Sequence, residues 1–360
     1  MHGFPLFCRV LAIGLVAALP TSAGLAQPAT PPAPAAKPAT VAQPSTNQPA
    51  GQPQSQPQNQ PLGPERLRLP TSDGVQLVAW YYPVPKNGDA AEQEQPPVVL
   101  LVHDLDGSHG SVEPLARALQ QRRIAVVAPD LRGHGESVGR LMPAVATEKL
   151  EPRQLKKPDF EAMARTGGGR VRDQATIRGD LEAVRGWIKK QGEAGTLDFD
   201  RLFVVGSGLG GAVALAWAVD DAKWPPIATG PQGRSVRGLA LISPTWTTRG
   251  FSIQPALADD VIRRGLPILL VAGTEDRDTL KLFDQLKRQR PGEWYEKRAN
   301  APPESAAKGG ATPPSLYLIQ LNTPLDRDRL ASTIDASGRG NDPAALIAGF
   351  MTAVGPKTAD

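Results

Sequence analysis

The chain has 360 residues, 40% of them hydrophobic and 21% charged, enough for one large or two small domains with a sizeable core. Its 40 basic residues are opposed by 36 acidic ones, for a formal charge of +4, which gives no electrostatic ground for a nucleic-acid partner. One cysteine, Cys8, excludes an internal disulfide and any multi-cysteine metal site.

Residues 1–26 read as a secretory signal peptide: Arg9 precedes the apolar run Val10–Leu19, and small residues offer cleavage near Ala23 or Ala26. That run is too short to span a bilayer, so the mature chain is expected to be exported, periplasmic or extracellular, with no thiol and no membrane span; an uncleaved anchor is the alternative. Residues 27–64 are mainly Pro, Gln, Ala, Ser and Thr, and such a composition buries too little apolar surface to offset the entropy of ordering. They are expected to form an extended linker to a domain at 65–360.

Within that domain, Gly74–Pro83 alternates like a strand, and Pro97–His103 and Ile124–Leu131 are continuous apolar runs suited to strands buried on both faces. Ser111–Arg123 and Asp173–Gln191 carry apolar residues at helical spacing. Further strands are predicted at Arg201–Val205, Gly238–Pro244, Pro267–Gly273 and Leu316–Leu321, and helices from Gly210, at Asp278–Arg288 and at Pro343–Val354. Alternating strands and helices imply a doubly wound, mostly parallel α/β sheet. Two stretches read as insertions: 138–172, a solvated loop or a surface for an anionic partner, and 292–314, a mobile surface segment.

The glycines of RLFVVGSGLGGAVAL lie on a strand-to-helix turn and fit two motifs. Gly206, Gly208 and Gly211 satisfy the dinucleotide pattern G-x-G-x-x-G literally. Gly206 and Gly210 are also the outer glycines of a nucleophile elbow, G-x-S-x-G, with Gly208 at the serine position. The residue before it is Ser207, whose side chain on a strand should point away from the apex of the turn.

VVLLVHDLDGSHGS, LARAL and AVVAPDLRGHGES, followed by DLEAVRGWI, the elbow and PILLVAGTEDR, resemble in order the α/β-hydrolases of the monoglyceride-lipase and serine-aminopeptidase kind. The resemblance covers most of residues 65–286 and implies an α/β-hydrolase fold, here without a large lid because the connection after Gly238–Pro244 is short. It weighs against dinucleotide binding, since the strand after the glycine turn ends LISP, without the acidic residue that holds a ribose. It places the oxyanion-loop region at His103, Asp104 and Leu105, together with Leu209 after the elbow, and the triad acid at Asp276; a helix cap is the structural alternative for Asp276.

Two parts of such a triad are missing. Gly208 brings no hydroxyl, and none of His2, His103, His109 and His134 follows the elbow, where the family's base lies after the last strand. Asp326 or a neighbour fills that place, and an aspartate is too weak a base for a hydroxyl. His103 and His134 are expected to brace loops, and His109 to be solvated. No metal-binding spacing joins the histidines, and no cofactor is implied. Asp104 stands where the family has glycine, and a carboxylate facing inward there would repel an oxyanion. Losing nucleophile and base costs a serine hydrolase about a million-fold in turnover. The expectation is a binding or structural module for a small-molecule or protein ligand; the alternative is an atypical ester or peptide hydrolase using Ser207.

Overall fold

The computed structural model describes residues 62–72, 74–85, 94–138, 171–224, 233–306, 314–333 and 342–355, with the side chains of 171–177 left aside. The signal peptide, nearly all of the linker and most of the 138–172 insertion lie outside the described residues. Among the described residues, no helix is long and apolar enough to cross a membrane.

Among the described residues, twelve strands and seven α-helices follow one another along the chain. The first strands are β1 (Glu65–Pro70), β2 (Gln76–Tyr82) and β3 (Pro97–Val102); then come helix α1 (His109–Gln121), β4 (Ala125–Pro129), α2 (Val171–Glu193), β5 (Asp198–Ser207), α3 (Leu209–Ala222) and β6 (Val236–Ile242). The connection after β6 carries a small hairpin, β7 (Thr247–Thr248) and β8 (Phe251–Ser252), a short helix α4 (Gln254–Leu257) and a π-helical turn at Val261–Gly265. The chain continues through β9 (Ile268–Ala272), α5 (Arg277–Gln289), β10 (Trp294–Lys297), β11 (Glu304–Ser305), β12 (Leu316–Gln320), α6 (Arg327–Ala331) and α7 (Pro343–Val354).

Ten strands form one sheet in the order β1-β2-β4-β3-β5-β6-β9-β12-β10-β11. From β4 to β10 all neighbours run parallel; β1, β2 and β11 are antiparallel to theirs. The period of two sorts each central strand between two cores. Leu100, Val204, Leu241 and Leu270 face a layer made by α2, α3 and α5, while Leu101, Val205, Ile242 and Val271 face α1 and α7. This is a doubly wound α/β sheet with helices on both faces.

Helix starts follow from capping chemistry. Asp276 accepts the Thr279 N–H at 2.9 Å to start α5, and Asp342 accepts the Ala345 N–H at 2.6 Å to start α7. The loop after β4 is pinned to α2 by a fully buried ion pair, Arg132 Nε to Asp180 Oδ1 at 2.9 Å, with the Arg132 N–H on Asp180 Oδ2 at 3.1 Å.

Two elements differ from expectation. Strand β1, which the sequence reading does not predict, pairs antiparallel with β2 at the sheet edge, where its charged residues stay exposed. The segment 292–314, expected as a surface insertion, instead contributes β10 and β11 to the other end of the sheet. Its alternation is masked because Glu296 is buried as an ion, bound to Lys287 at 2.8 Å and to Arg298. Burial pushes the Glu296 carboxyl up, but these two cations outweigh it and hold it below its ordinary value.

Candidate functional site

The C-terminal ends of the parallel strands form the edge where α/β sheets bind ligands. Strand β5 enters helix α3 through one residue, Gly208, with φ 52° and ψ −117°. The positive φ lies in the left-handed range that favours glycine. The turn is locked on both sides: the Gly208 N–H donates to the Ile242 carbonyl at 3.0 Å, and its carbonyl accepts the Thr245 N–H at 3.1 Å. Gly206 and Gly210 are needed for close packing, since a side chain on Gly206 would strike the backbone of Gly210 and Gly211, and one on Gly210 the carbonyls of Val102 and His103.

Above Gly208 the space is occupied. A side chain built there would fall within the carboxyl group of Asp104. Asp104 Oδ1 accepts the Leu209 N–H at 2.7 Å, the first free donor of α3. A carboxylate at that point also meets the positive end of the helix dipole. Its other oxygen lies 3.5 Å from Arg327 Nη1. The Asp104 N–H in turn donates to Asp328 Oδ1 at 3.0 Å, and Asp328 Oδ2 accepts the Ser111 hydroxyl at 2.5 Å. Two backbone donors beside the elbow, Leu209 and Asp104, are thus each bound by a carboxylate of this chain. Leu105 is buried in the core next to them.

Asp104→Ala is expected to lower stability by about 1–3 kcal/mol, the cost of leaving a buried donor without its acceptor. Formate at high millimolar concentration should restore part of the loss in a urea titration of the variant and leave the parent unchanged.

The other sequence-predicted residues fall into place around this feature. Ser207 is fully buried in β5, opposite Ile242 in register, and its Oγ has no hydrogen-bond partner among the described residues. Asp276 spends both carboxylate oxygens on Thr279, the second through the hydroxyl at 2.6 Å, so it caps α5. Asp326 pairs with Arg329 at 2.8 Å. Asp276 and Asp326 nonetheless border one cavity of 390 Å³, with Ser243, Thr245, Arg277 and Arg327. Three arginines stand against four carboxylates there, and among the described residues no group of His, Cys, Asp and Glu is arranged to hold a metal ion.

The histidines serve the framework. His103 accepts the Leu131 N–H on Nε2 at 3.0 Å, which leaves its Nδ1 proton for the Asp104 carbonyl at 2.6 Å. His134 is buried and tilted against His103 with ring centroids 5.4 Å apart. His109, expected to be solvated, is not: its ring stacks on Trp80 at 4.7 Å and its Nδ1 lies 3.0 Å from buried Asp130. Burial pushes the Asp130 carboxyl up, but hydrogen bonds from His109 and the Glu136 N–H prevail and hold it below its ordinary value.

Sequence reasoning missed Asp328, Ser111 and Arg327. Nothing local marks them: the Asp104–Asp328 bond joins residues 224 apart in the chain.

Residues 99–354 match the alpha/beta hydrolase family, and with the sheet order and the elbow in place, the chain belongs to that family. No curated protein matches its sequence. Solved structures of similar fold include a dienelactone hydrolase from Anabaena variabilis, at 17% identity over 81% of this chain and 95% of that one, with a TM-score of 0.44. A hyperthermophilic esterase from Pyrobaculum calidifontis is 15% identical over 82% of this chain and 86% of its own, with a TM-score of 0.49. The carboxylesterase EstE1, cloned from a metagenomic library, is 15% identical over 83% and 92%, with a TM-score of 0.46.

Proposed function

We propose that this chain is a non-hydrolysing member of the family, an exported binding module whose ligand site is the crevice beside Gly208. The observation that carries the reading is the Asp104 carboxylate, which fills the space a nucleophile side chain would need and takes the Leu209 N–H that would stabilise an oxyanion. Gly208 itself has no nucleophilic atom, and no histidine follows it in the sequence to act as base. The competing reading, an ester, acylglycerol or peptide hydrolase using Ser207, has to expose a hydroxyl that is fully buried in β5. A dinucleotide site is weaker still, because Gly206 and Gly211 of that pattern are accounted for by strand-to-helix packing: a side chain on Gly206 would strike the backbone of Gly210 and Gly211, and one on Gly211 would press on the Gly206 carbonyl and Pro244 at 3.1 Å.

Intact-mass analysis after incubation with a broad fluorophosphonate tests this. The folded protein should gain no adduct, and its N-terminus, read in the same spectrum after expression with the leader, should lie near Ala23 or Ala26. A single adduct abolished by Ser207→Ala would make the protein an enzyme and overturn the reading.

A further inference from the structure

A second cavity, of 610 Å³, lies at the opposite end of the strands from Gly208, where β3 and β4 begin and where α1 and α7 end. That volume is within the range of small-molecule sites. Its floor is apolar, made by Ile124, Phe203, Ala348 and Met351, and three arginines, Arg122, Arg123 and Arg201, stand at its rim.

The arginines are not equally engaged. Arg201 is spent: its Nε reaches Asp198 at 2.5 Å, and its Nη2 reaches Glu94, the acid that lines the cavity, at 2.8 Å. Arg122 donates to the Ala118 carbonyl at 2.9 Å and meets Asp342 only at 3.4 Å, a carboxylate already engaged by the Ala345 N–H. Arg123 meets no carboxylate among the described residues, and its hydrogen bond to the Pro85 carbonyl is long, at 3.5 Å. The uncommitted charge at the rim is therefore positive.

Arg123 is also held at a cost. Its N–H donates to the Gln120 carbonyl and the Ile124 N–H to that of Leu119, the pair of bonds that ends a helix on a left-handed residue, usually glycine. Arg123 takes that place with φ 60°. A guanidinium without a close partner gives the fold nothing in return for the strain, so it is left to meet something from outside.

We infer that this cavity binds a small amphipathic carboxylate, with its apolar body on Ile124, Phe203 and Met351 and its carboxylate on Arg123 and Arg122. The two halves of the site select the ligand together. The floor takes an aliphatic or aromatic body, the planar guanidinium matches a carboxylate in a two-bond fork, and a cation would meet the uncompensated positive charge.

The test is calorimetric titration of the purified protein with sodium octanoate, against 1-octanol, octylammonium chloride and sodium acetate, with saturation-transfer NMR on the same samples. Octanoate should bind at about 1 mM or tighter, and the other three at least about fivefold more weakly. Arg123→Gly should weaken octanoate about tenfold, the worth of a charged hydrogen bond, while Tm stays level or rises by about 2–4 °C as the backbone strain is released. Thr352→Trp, at an exposed position of α7 that lines the cavity, should weaken octanoate by filling its space without loss of fold. Failure of octanoate to bind overturns the proposal. So does any of the other three binding as tightly, since body and charge are then not both read, or octanoate binding that either variant leaves unaltered, since the site is then elsewhere. The fluorophosphonate measurement concerns the other end of the sheet, and neither of its outcomes changes what is expected here.

Discussion

Gly208→Ser, the substitution that restores the family's pattern at the elbow, should yield no esterase and should lower stability by about 2–6 kcal/mol. Two costs combine. A residue with a β-carbon at φ 52° is strained, at about 1–3 kcal/mol. The new side chain also lands on the Asp104 carboxyl, and overpacking of that kind costs about 1–3 kcal/mol more. The second cost has a known neighbour, so it is separable. In a double-mutant cycle with Asp104→Gly, Gly208→Ser should become at least about 1 kcal/mol less damaging than in the parent, read from urea unfolding midpoints at constant m-value. Additive effects would mean that Asp104 does not fill the space above Gly208, and the proposed reason for inactivity would lose its support.

The second large effect is expected at the ion pair between the loop after β4 and helix α2. Arg132→Leu should destabilise the domain by about 3–5 kcal/mol, because it removes the guanidinium that pairs with the carboxylate of Asp180, whose side chain is 0% exposed. Asp180→Leu alone should cost a similar amount by taking the buried carboxylate from the guanidinium. The pair Arg132→Leu with Asp180→Leu should recover much of either loss, since buried ion pairs gain little over apolar residues of similar volume. Thermal or urea unfolding of the three variants decides this. If the double variant is as unstable as the sum of the singles, the loop is held by hydrogen bonds that leucine cannot replace, the Asp180 bond to the Arg132 N–H among them.

Much of this architecture is legible in the sequence, for a physical reason. Strands β3, β4 and β9 are buried on both faces, so they appear as unbroken apolar runs, and α7 announces itself by Asp342 at its cap and Pro343 at its first position. Strand β1 is not legible because an edge strand has one wet face and a row of charges to protect it. Strand β10 is hidden by Glu296, a carboxylate whose burial is possible because Lys287 at the end of α5 and Arg298, two residues along, both pair with it. At the site, Gly208 in the position of the family's serine and the lack of a histidine after the elbow are expectations that the resemblance already draws from the sequence. That Asp104 turns inward cannot be read there, since its carboxylate is held by the Leu209 N–H and Arg327 and its own N–H by Asp328, all more than a hundred residues away in the chain. His109 shows the same limit: a Gly-Ser-His-Gly segment looks solvated until Trp80 and Asp130 are placed beside it.

The bond from Asp104 to Asp328 also sets an order of events. Its two ends are 224 residues apart, so during synthesis the first half of the sheet can assemble while the partner of Asp104 has yet to be made. The cover over the elbow is therefore among the last contacts to form, and it depends on a contact of very high sequence separation. A nascent chain that has not reached Arg327 and Asp328 would carry the hydrolase-like turn with the Asp104 carboxylate on the Leu209 N–H alone and the Asp104 N–H without its acceptor. Fastening that turn is left to Arg327 and Asp328 at the start of α6, a clasp supplied by a late segment to a loop of the first half of the sheet.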